Sequence, residues 1–192
     1  IFAKNALDAA LALENIAGFD EKDSTSINKK VPPFFNQAKS KDEEHVVGIP
    51  KKIIEDIKDD NVKNNFFESL DILKKSGVKV KEIDLKNIQY SLPVYYVIAP
   101  AECSANLSRY DGVRFGHRCD NPKDLDDLYE RSRAEGFGEE VKKRILIGTY
   151  CLSAGYYDAY YLKAQKIRNL IKQSFMDAFK EVSSIMMPTC AV

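Results

Sequence analysis

The chain has 192 residues, with 29 Lys and Arg against 29 Asp and Glu, so its formal net charge is zero. This balance disfavours a nucleic-acid binder that relies on a strongly basic surface. Hydrophobic residues make up 44% of the chain and include ten Tyr and ten Phe, which excludes a disordered protein. No apolar run reaches the roughly 20 residues of a membrane-spanning helix, so one ordinary globular domain is predicted.

Four cysteines are present, and none belongs to a CxxC pair: Cys103, Cys119, Cys151 and Cys190. Since only His45 and His117 could add imidazole ligands, this spacing argues against a zinc site, and no metal is predicted. The start of the chain carries no secretory signal, which predicts a cytoplasmic, reducing environment with free thiols. Each cysteine is interpreted as a small buried hydrophobic residue.

The first part of the chain predicts a helix followed by a long loop. Apolar residues recur at near-helical spacing over residues 1–17, and Gly18 is a typical C-terminal cap. Residues 18–47 are polar and contain two consecutive prolines. They are interpreted as a loop, mobile over about residues 24–45.

The next part predicts a strand, a helix and a second strand. Val46–Pro50 is a short apolar run that suits a buried strand, and residues 60–75 place apolar side chains on one helical face. Residues 78–83 alternate apolar and polar side chains, as a strand does. Such a unit joins parallel strands through a right-handed crossover.

The remaining residues predict mainly helices. Residues 90–110 favour a helix after Pro93, and residues 112–135 are rich in turn residues before a charged helix. Further helices are predicted at 139–150 and 156–182. The buried stripe predicted for the last helix comprises Tyr160, Ala164, Ile167, Ile171, Phe175 and Ala178.

Residues 183–188 predict a final short strand, so the fold class expected is α/β, with helices packed on a mixed sheet. The whole of residues 1–192 is interpreted as a single segment. Because the chain starts without Met and inside an amphipathic pattern, we expect it to be part of a longer protein. Such a part would expose apolar sheet edges, which predicts self-association.

Four consecutive motifs resemble one protein family. They are LPVYYVIAPAE at 92–102, SRYDGVRFG at 108–116, EGFGEEVKKRILIGTY at 135–150 and LSAGYYDAYY at 152–161. These runs resemble the A-subunit family of the glutamyl-tRNA(Gln) amidotransferases, a branch of the amidase signature family. The resemblance covers nearly the whole chain and implies that its fold is a fragment of the amidase signature fold.

The resemblance implies a role in protein synthesis. In that family, the A-subunit hydrolyses glutamine and releases ammonia. The B-subunit uses ATP and Mg to activate the glutamate on misacylated tRNA and receives the ammonia, and the small C-subunit helps to hold the pair together. The expected partners are therefore the B-subunit and the C-subunit, glutamine and, through the complex, misacylated tRNA, with no cofactor bound by this chain and no membrane.

The sequence departs from the family at its catalytic signature. The family uses a Ser–cis-Ser–Lys triad in a Gly/Ser-rich run, but the nine glycines here do not cluster with serines. No residue of this chain is therefore predicted to be catalytic. The triad is expected upstream of Ile1, so the chain resembles a C-terminal portion of the glutaminase subunit that is inactive alone.

The resemblance also implies two substrate-binding residues. Arg144 occupies the position of the family arginine that binds the substrate carboxylate, which suits the two-point hydrogen bonding of a guanidinium. Tyr95 occupies the position of a tyrosine that contacts the substrate. The family's acidic partner for the substrate ammonium is expected beyond Val192. On pattern alone, Arg144 closes a basic run typical of a solvated helix face, and Tyr95 suits a packed core.

Two further motifs allow more than one interpretation. Arg109, Asp111 and Arg114 surround Gly112, which predicts either a turn pinned by ion pairs or a contact with a partner protein near the ammonia route. The tyrosines of the GYYDAYY run share one broad helical face, which suits a packed core or a surface between proteins. His117 is interpreted as a surface or turn residue.

Two alternative functions stay open at this point. One is another amidase-signature hydrolase that acts on a different amide. The other is a non-catalytic module that docks partner subunits through the tyrosine-rich helix and the SRYDGVRFG turn.

Overall fold

The computed structural model describes residues 1–40 and 45–189. The chain forms two compact units, residues 1–45 and residues 46–192. Cys190 and part of the loop predicted to be mobile, residues 41–44, lie outside the described residues. The predicted single segment and the mobility of its loop stay predictions.

The described residues of the first unit form two helices. Helix α1, Ala6–Ile16, begins where the Asn5 side chain accepts the Asp8 N–H at 2.9 Å, and its C-cap is Ala17, one residue before the predicted cap. Helix α2, Phe34–Lys39, lies where a loop was predicted, so that prediction is wrong for these residues. A residue far away in sequence stabilises its first turn, because the Phe35 N–H donates to the Glu14 carboxylate of α1 at 2.8 Å.

The second unit is built on a three-stranded sheet in the order β2-β1-β3. Its strands are β1, Val46–Pro50, β2, Lys79–Ile83, and β3, Ser184–Ile185. Helix α3, Lys51–Glu55, and helix α4, Asp60–Lys75, connect β1 to β2. The predicted strands and the helix at 60–75 are confirmed, whereas α3 was not predicted.

Both pairings of this sheet are parallel, with Val47 opposite Val80 of β2 and Ser184 of β3. The α/β class is confirmed, but the described strands form a parallel sheet rather than the mixed sheet expected. Helical crossovers lead the chain back to the same end of the sheet before each new strand, and such connections produce parallel pairs. Gly48 lies at the centre of the sheet, where a Cβ would come within 3.0 Å of Ile83 and Val182.

The remaining helices follow β2 along the chain. They are α5, Ser91–Leu107, α6, Leu125–Gly136, α7, Glu139–Leu152, and α8, Lys163–Ala178, with a π-helical segment at Tyr157–Leu162. Helix α5 begins two residues before Pro93, because the first turn of a helix has no need of a proline N–H. The helix predicted over 156–182 is thus divided into a π-helical and an α-helical part, and it ends at Ala178, four residues earlier than predicted.

Among the described residues of the second unit, three clusters of buried side chains form the core. One joins α3 to α4 around Phe66 and Leu70, and another joins the end of β2 to the end of α8 around Ile83 and Val182. The third joins α5 to α8 through contacts of Val94, Ile98 and Ala164.

The stripe predicted for the last helix is confirmed at its alanines and wrong at its tyrosine. Ala164 and Ala178 are buried, and the three larger apolar residues between them are half-buried. Tyr160 is 44% exposed, because it belongs to the π-helical segment, whose wider turn changes the direction in which side chains point.

Candidate functional site

The candidate site begins with the first two turns of α7. Glu139 and Glu140 lie in the first turn, where acidic side chains interact favourably with the helix dipole. Arg144 follows Glu140 by four residues, so the two side chains meet on one face, and Arg144 Nε donates to Glu140 Oε1 at 3.0 Å.

The second part of the site is α5, which packs along α7. Arg144 Nη1 donates a hydrogen bond to the Tyr95 hydroxyl at 3.1 Å, although the two residues are 49 positions apart in sequence. The structure therefore brings together the two residues predicted to bind substrate. Tyr95 is 48% exposed, so it lies at the surface of this chain and not in a packed core.

The contacts of Arg144 leave part of its guanidinium available. A guanidinium has five N–H donors, and the described residues accept a bond from Nε and one from Nη1 but none from Nη2. The hydrogen bond to Tyr95 is the largest cause of a raised pKa of Arg144, and the hydrogen bond to Glu140 is the next. Both stabilise the charged form of the guanidinium. This arrangement can bind a carboxylate through two parallel hydrogen bonds.

Arg144 also differs from its basic neighbours in the run 142–144. Lys142 pairs with Glu139 on its own helix at 3.0 Å, and Lys143 is exposed. Arg144 is half-buried and bonds to a second helix. The solvated-face interpretation therefore describes Lys143 better than Arg144, while the binding role of Arg144 and Tyr95 stays a prediction.

The SRYDGVRFG turn is organised by backbone hydrogen bonds and not by the ion pairs expected. The Asp111 carboxylate accepts the N–H groups of Val113 at 2.9 Å and Arg114 at 3.4 Å, and the first of these chiefly lowers the pKa of Asp111. Among residues 1–40 and 45–189, none forms an ion pair with Asp111. Hydrogen bonds from N–H groups this close in sequence let an aspartate fold a turn without a second charge.

Helix α6 anchors this turn, a role that the sequence patterns did not reveal. Arg133 Nη1 donates to the carbonyls of Leu107 and Tyr110, each at 2.9 Å. The predicted surface position of His117 is confirmed. Its ring nitrogen Nε2 lies 2.9 Å from the carboxylate of Glu135 on α6. The sequence pattern could not predict these contacts, because a charged residue such as Arg133 on a polar helix is ordinarily expected to face solvent.

Ser132 of α6 is buried and binds the backbone just after this turn, and its replacement tests how much that contact stabilises the fold. Its hydroxyl accepts the Cys119 N–H at 3.0 Å, and the residue is 2% exposed. We expect Ser132→Ala to lower the free energy of unfolding by about 1–2 kcal/mol, because a buried N–H loses its partner. A shift in the urea midpoint at unchanged slope measures this effect.

The control for this prediction is Ser76→Ala. Ser76 is exposed and its hydroxyl donates to the Ile72 carbonyl of the adjoining helix α4, so a change within about 0.5 kcal/mol is expected. Equal midpoints for the two variants would show that the buried hydroxyl does not stabilise the turn.

The tyrosines of the GYYDAYY run form two clusters instead of one face. The rings of Tyr150, Tyr156 and Tyr160 lie together, with centroids 4.3–6.2 Å apart, and Tyr157 contacts Tyr161 at 5.3 Å. The Tyr161 hydroxyl donates to Glu102 on α5 at 2.7 Å, and this carboxylate raises the pKa of Tyr161. Tyr156, Tyr157 and Tyr160 are each about two-fifths exposed, so they form part of a surface.

The cysteines behave mainly as small apolar residues. Cys119 and Cys151 are buried and Cys103 is half-buried, and all three are free thiols. Burial raises the pKa of the Cys151 thiol, which makes it less reactive. In the part of the chain that the structure describes, no three His, Cys, Asp or Glu residues are grouped to hold a metal ion.

A helix that crosses a bilayer needs about 20 predominantly apolar residues. None of the helices in residues 1–40 and 45–189 is long and apolar enough to do so.

Curated relatives align with almost the whole chain. The glutamyl-tRNA(Gln) amidotransferase A-subunit of Pseudomonas savastanoi pv. phaseolicola is 55% identical over 187 residues, which are 97% of this chain and 39% of that protein. The protein of the same name from Ruthia magnifica is 53% identical over 185 residues, 96% of this chain and 38% of that protein. The chain thus spans about two-fifths of the length of these relatives.

Solved structures show the same likeness in three dimensions. The A-subunit of the Thermotoga maritima glutamyl-tRNA(Gln) amidotransferase superimposes with a TM-score of 0.61 at 34% identity, over 98% of this chain and 36% of that one. A crystal structure described as an amidase is 18% identical over 79% of this chain and 29% of that one, with a TM-score of 0.56, which concerns the fold alone. The sequence matches the Amidase family over residues 1–192, and the chain therefore belongs to that family.

Proposed function

We propose that this chain is part of the glutaminase subunit of a glutamine-hydrolysing glutamyl-tRNA(Gln) amidotransferase. The observation that carries the proposal is the 53–55% identity to proteins of that name along almost the whole chain. The reaction converts Glu-tRNA(Gln) to Gln-tRNA(Gln) with ammonia from glutamine. The protein would act in the cytoplasm with the B-subunit and the C-subunit, and the B-subunit would use ATP and Mg.

In this proposal the chain binds the amino-acid end of glutamine. The α-carboxylate would take two hydrogen bonds from Arg144, whose charge is held by Tyr95 and Glu140. The 3.1 Å bond between Arg144 and Tyr95 supports the assignment, because residues from two helices converge on one cationic group. Tyr95 would contact the same substrate from α5.

The chemical step would be carried by residues outside residues 1–192. A serine nucleophile attacks the side-chain amide of glutamine, ammonia leaves, and water hydrolyses the resulting ester. The contribution of this chain is to fix the substrate, so that its amide meets the nucleophile in one orientation. The family's acidic group for the substrate ammonium would likewise lie outside this chain.

Ammonia release from glutamine tests the proposal. We expect release by the gene product that carries these 192 residues, assembled with its partner subunits, and no release by the 192-residue chain alone. Release by the chain alone would place a nucleophile inside it and contradict the division of labour proposed here.

Two further measurements on the same gene product would favour the alternative functions. Hydrolysis of simple aliphatic amides in preference to glutamine by the gene product would indicate a different amidase-signature hydrolase. Binding of partner subunits by the gene product without hydrolysis of any amide would indicate a docking module.

A further inference from the structure

Helices α5 and α7 come into close backbone contact at a glycine. Gly148 is buried in the middle of α7, and a Cβ built on it would overlap the Pro100 carbonyl oxygen of α5. That Cβ would also lie 2.6 Å from the Pro100 carbonyl carbon and 2.7 Å from the Ser104 Cβ. Glycine is disfavoured inside helices, so its place here is explained by the close approach of the two backbones.

A hydrogen bond between side chains joins the helices next to this contact. The hydroxyls of Ser104 and Thr149 lie 2.9 Å apart. Thr149 already donates its proton to the Ile145 carbonyl at 2.8 Å, so Ser104 is the donor to Thr149. The pair fixes the two helices against sliding at the point where Gly148 allows them to touch.

The contacts occur in the same order along both helices. Tyr95, Pro100 and Ser104 of α5 face Arg144, Gly148 and Thr149 of α7, so the two helices run in the same direction. At a rise of about 1.5 Å per residue, the bond between Tyr95 and Arg144 lies about 6–7.5 Å from the glycine contact along each axis.

This distance is short enough for the glycine contact to control the bond. An ordinary contact needs about 3.4 Å or more between carbon or oxygen atoms, so a side chain at position 148 has to move the helices apart. The Arg144–Tyr95 bond is already 3.1 Å long and has little room to lengthen before it is lost.

We propose that Gly148 is a positioning residue for glutamine binding: its missing side chain sets the separation of α5 and α7 at which Arg144 reaches Tyr95. The inference rests on the function proposed above and assigns a role to a residue that does not touch the substrate. The separation of the helices determines where the donors of Arg144 point, and thus how well they meet a carboxylate.

The test uses the gene product that carries this chain, in complex with its partner subunits, and compares two nitrogen donors. We expect Gly148→Ala to raise KM for glutamine about tenfold, while formation of Gln-tRNA(Gln) with an ammonium salt stays within about twofold of the unsubstituted enzyme. The matched control is Gly18→Ala, since a Cβ at Gly18 meets nothing within 4 Å. Its KM for glutamine should be unchanged.

Ser104→Ala provides a second test that adds no bulk. It removes the donor to Thr149, and Thr149 keeps its own bond to Ile145. We expect KM for glutamine to rise about threefold, again with unchanged use of ammonium. This variant decides the question if Gly148→Ala does not yield folded protein.

Three results bear on the proposal in different ways. Equal losses with glutamine and with ammonium would show that these residues only stabilise the fold, and an unchanged KM for both variants would show that helix separation is unimportant. Either result overturns the inference. Failure of the proposed function is a separate result, in which the unsubstituted enzyme does not hydrolyse glutamine.

Discussion

Replacing Arg144 with Ala in the complete enzyme is expected to raise KM for glutamine on the order of a hundredfold. A hydrogen bond to a charged group contributes about 1.5–3 kcal/mol, so loss of two such bonds to the carboxylate removes about 3 kcal/mol or more. Amide formation with an ammonium salt should stay unchanged, because that reaction needs no glutamine site. Steady-state kinetics with both nitrogen donors measure the effect.

Two further variants show whether the guanidinium itself is needed. Arg144→Lys keeps the charge but loses the planar pair of donors, so its KM should lie between those of the unsubstituted enzyme and Arg144→Ala. Lys143→Ala is the control, since Lys143 is exposed on the same helix. An unchanged KM for Arg144→Ala would remove this residue from the substrate site.

Phe66→Ala is expected to cause a large loss of stability. Phe66 is 4% exposed and belongs to the cluster that joins α3 to α4. Truncation of a buried Phe to Ala lowers the free energy of unfolding by about 3–5 kcal/mol, because apolar burial is lost and a cavity remains. The shift of the chemical unfolding midpoint gives the value.

The control for this substitution lies on the same helix. Ile72 is 64% exposed, so Ile72→Ala should change stability by about 0.5 kcal/mol or less. Both variants should leave KM for glutamine unchanged at temperatures well below unfolding, since neither side chain belongs to the Arg144–Tyr95 contact. Similar midpoints for the two variants would contradict the core described around Phe66.

Regular patterns in the sequence predicted the longer elements well. The spacing of apolar residues in α4 and the alternation in β2 each reflect a single repeating geometry, so they located these elements within one residue. Helices α2 and α3 have six and five residues, too few for a period to be recognised. Helix α2 also depends on Glu14, a residue of another helix, and no local pattern contains that information.

The candidate site was predicted only in part, because its contacts also join residues that are far apart in sequence. Arg144 and Tyr95 were found through motifs resembling a known family, and neither periodicity nor spacing predicted their contact across 49 residues. The role of Gly148 was not predicted, since the close contact that explains this glycine is made with Pro100 on another helix. The π-helical segment was missed because its apolar residues fit an α-helical pattern closely enough.

The place of β3 in the sheet has a consequence for the order in which the protein folds. Strands β1 and β2 and the helices between them are close in sequence, so they can pair as soon as that stretch leaves the ribosome. The hydrogen bond between Val46 and Ser183 spans 137 residues. The edge of β1 that pairs with β3 therefore stays without its partner strand until nearly the whole described chain has been synthesised. During that interval the unpaired edge of β1 can form non-native strand pairs, and we expect the dependence of folding on chaperones to be greatest then.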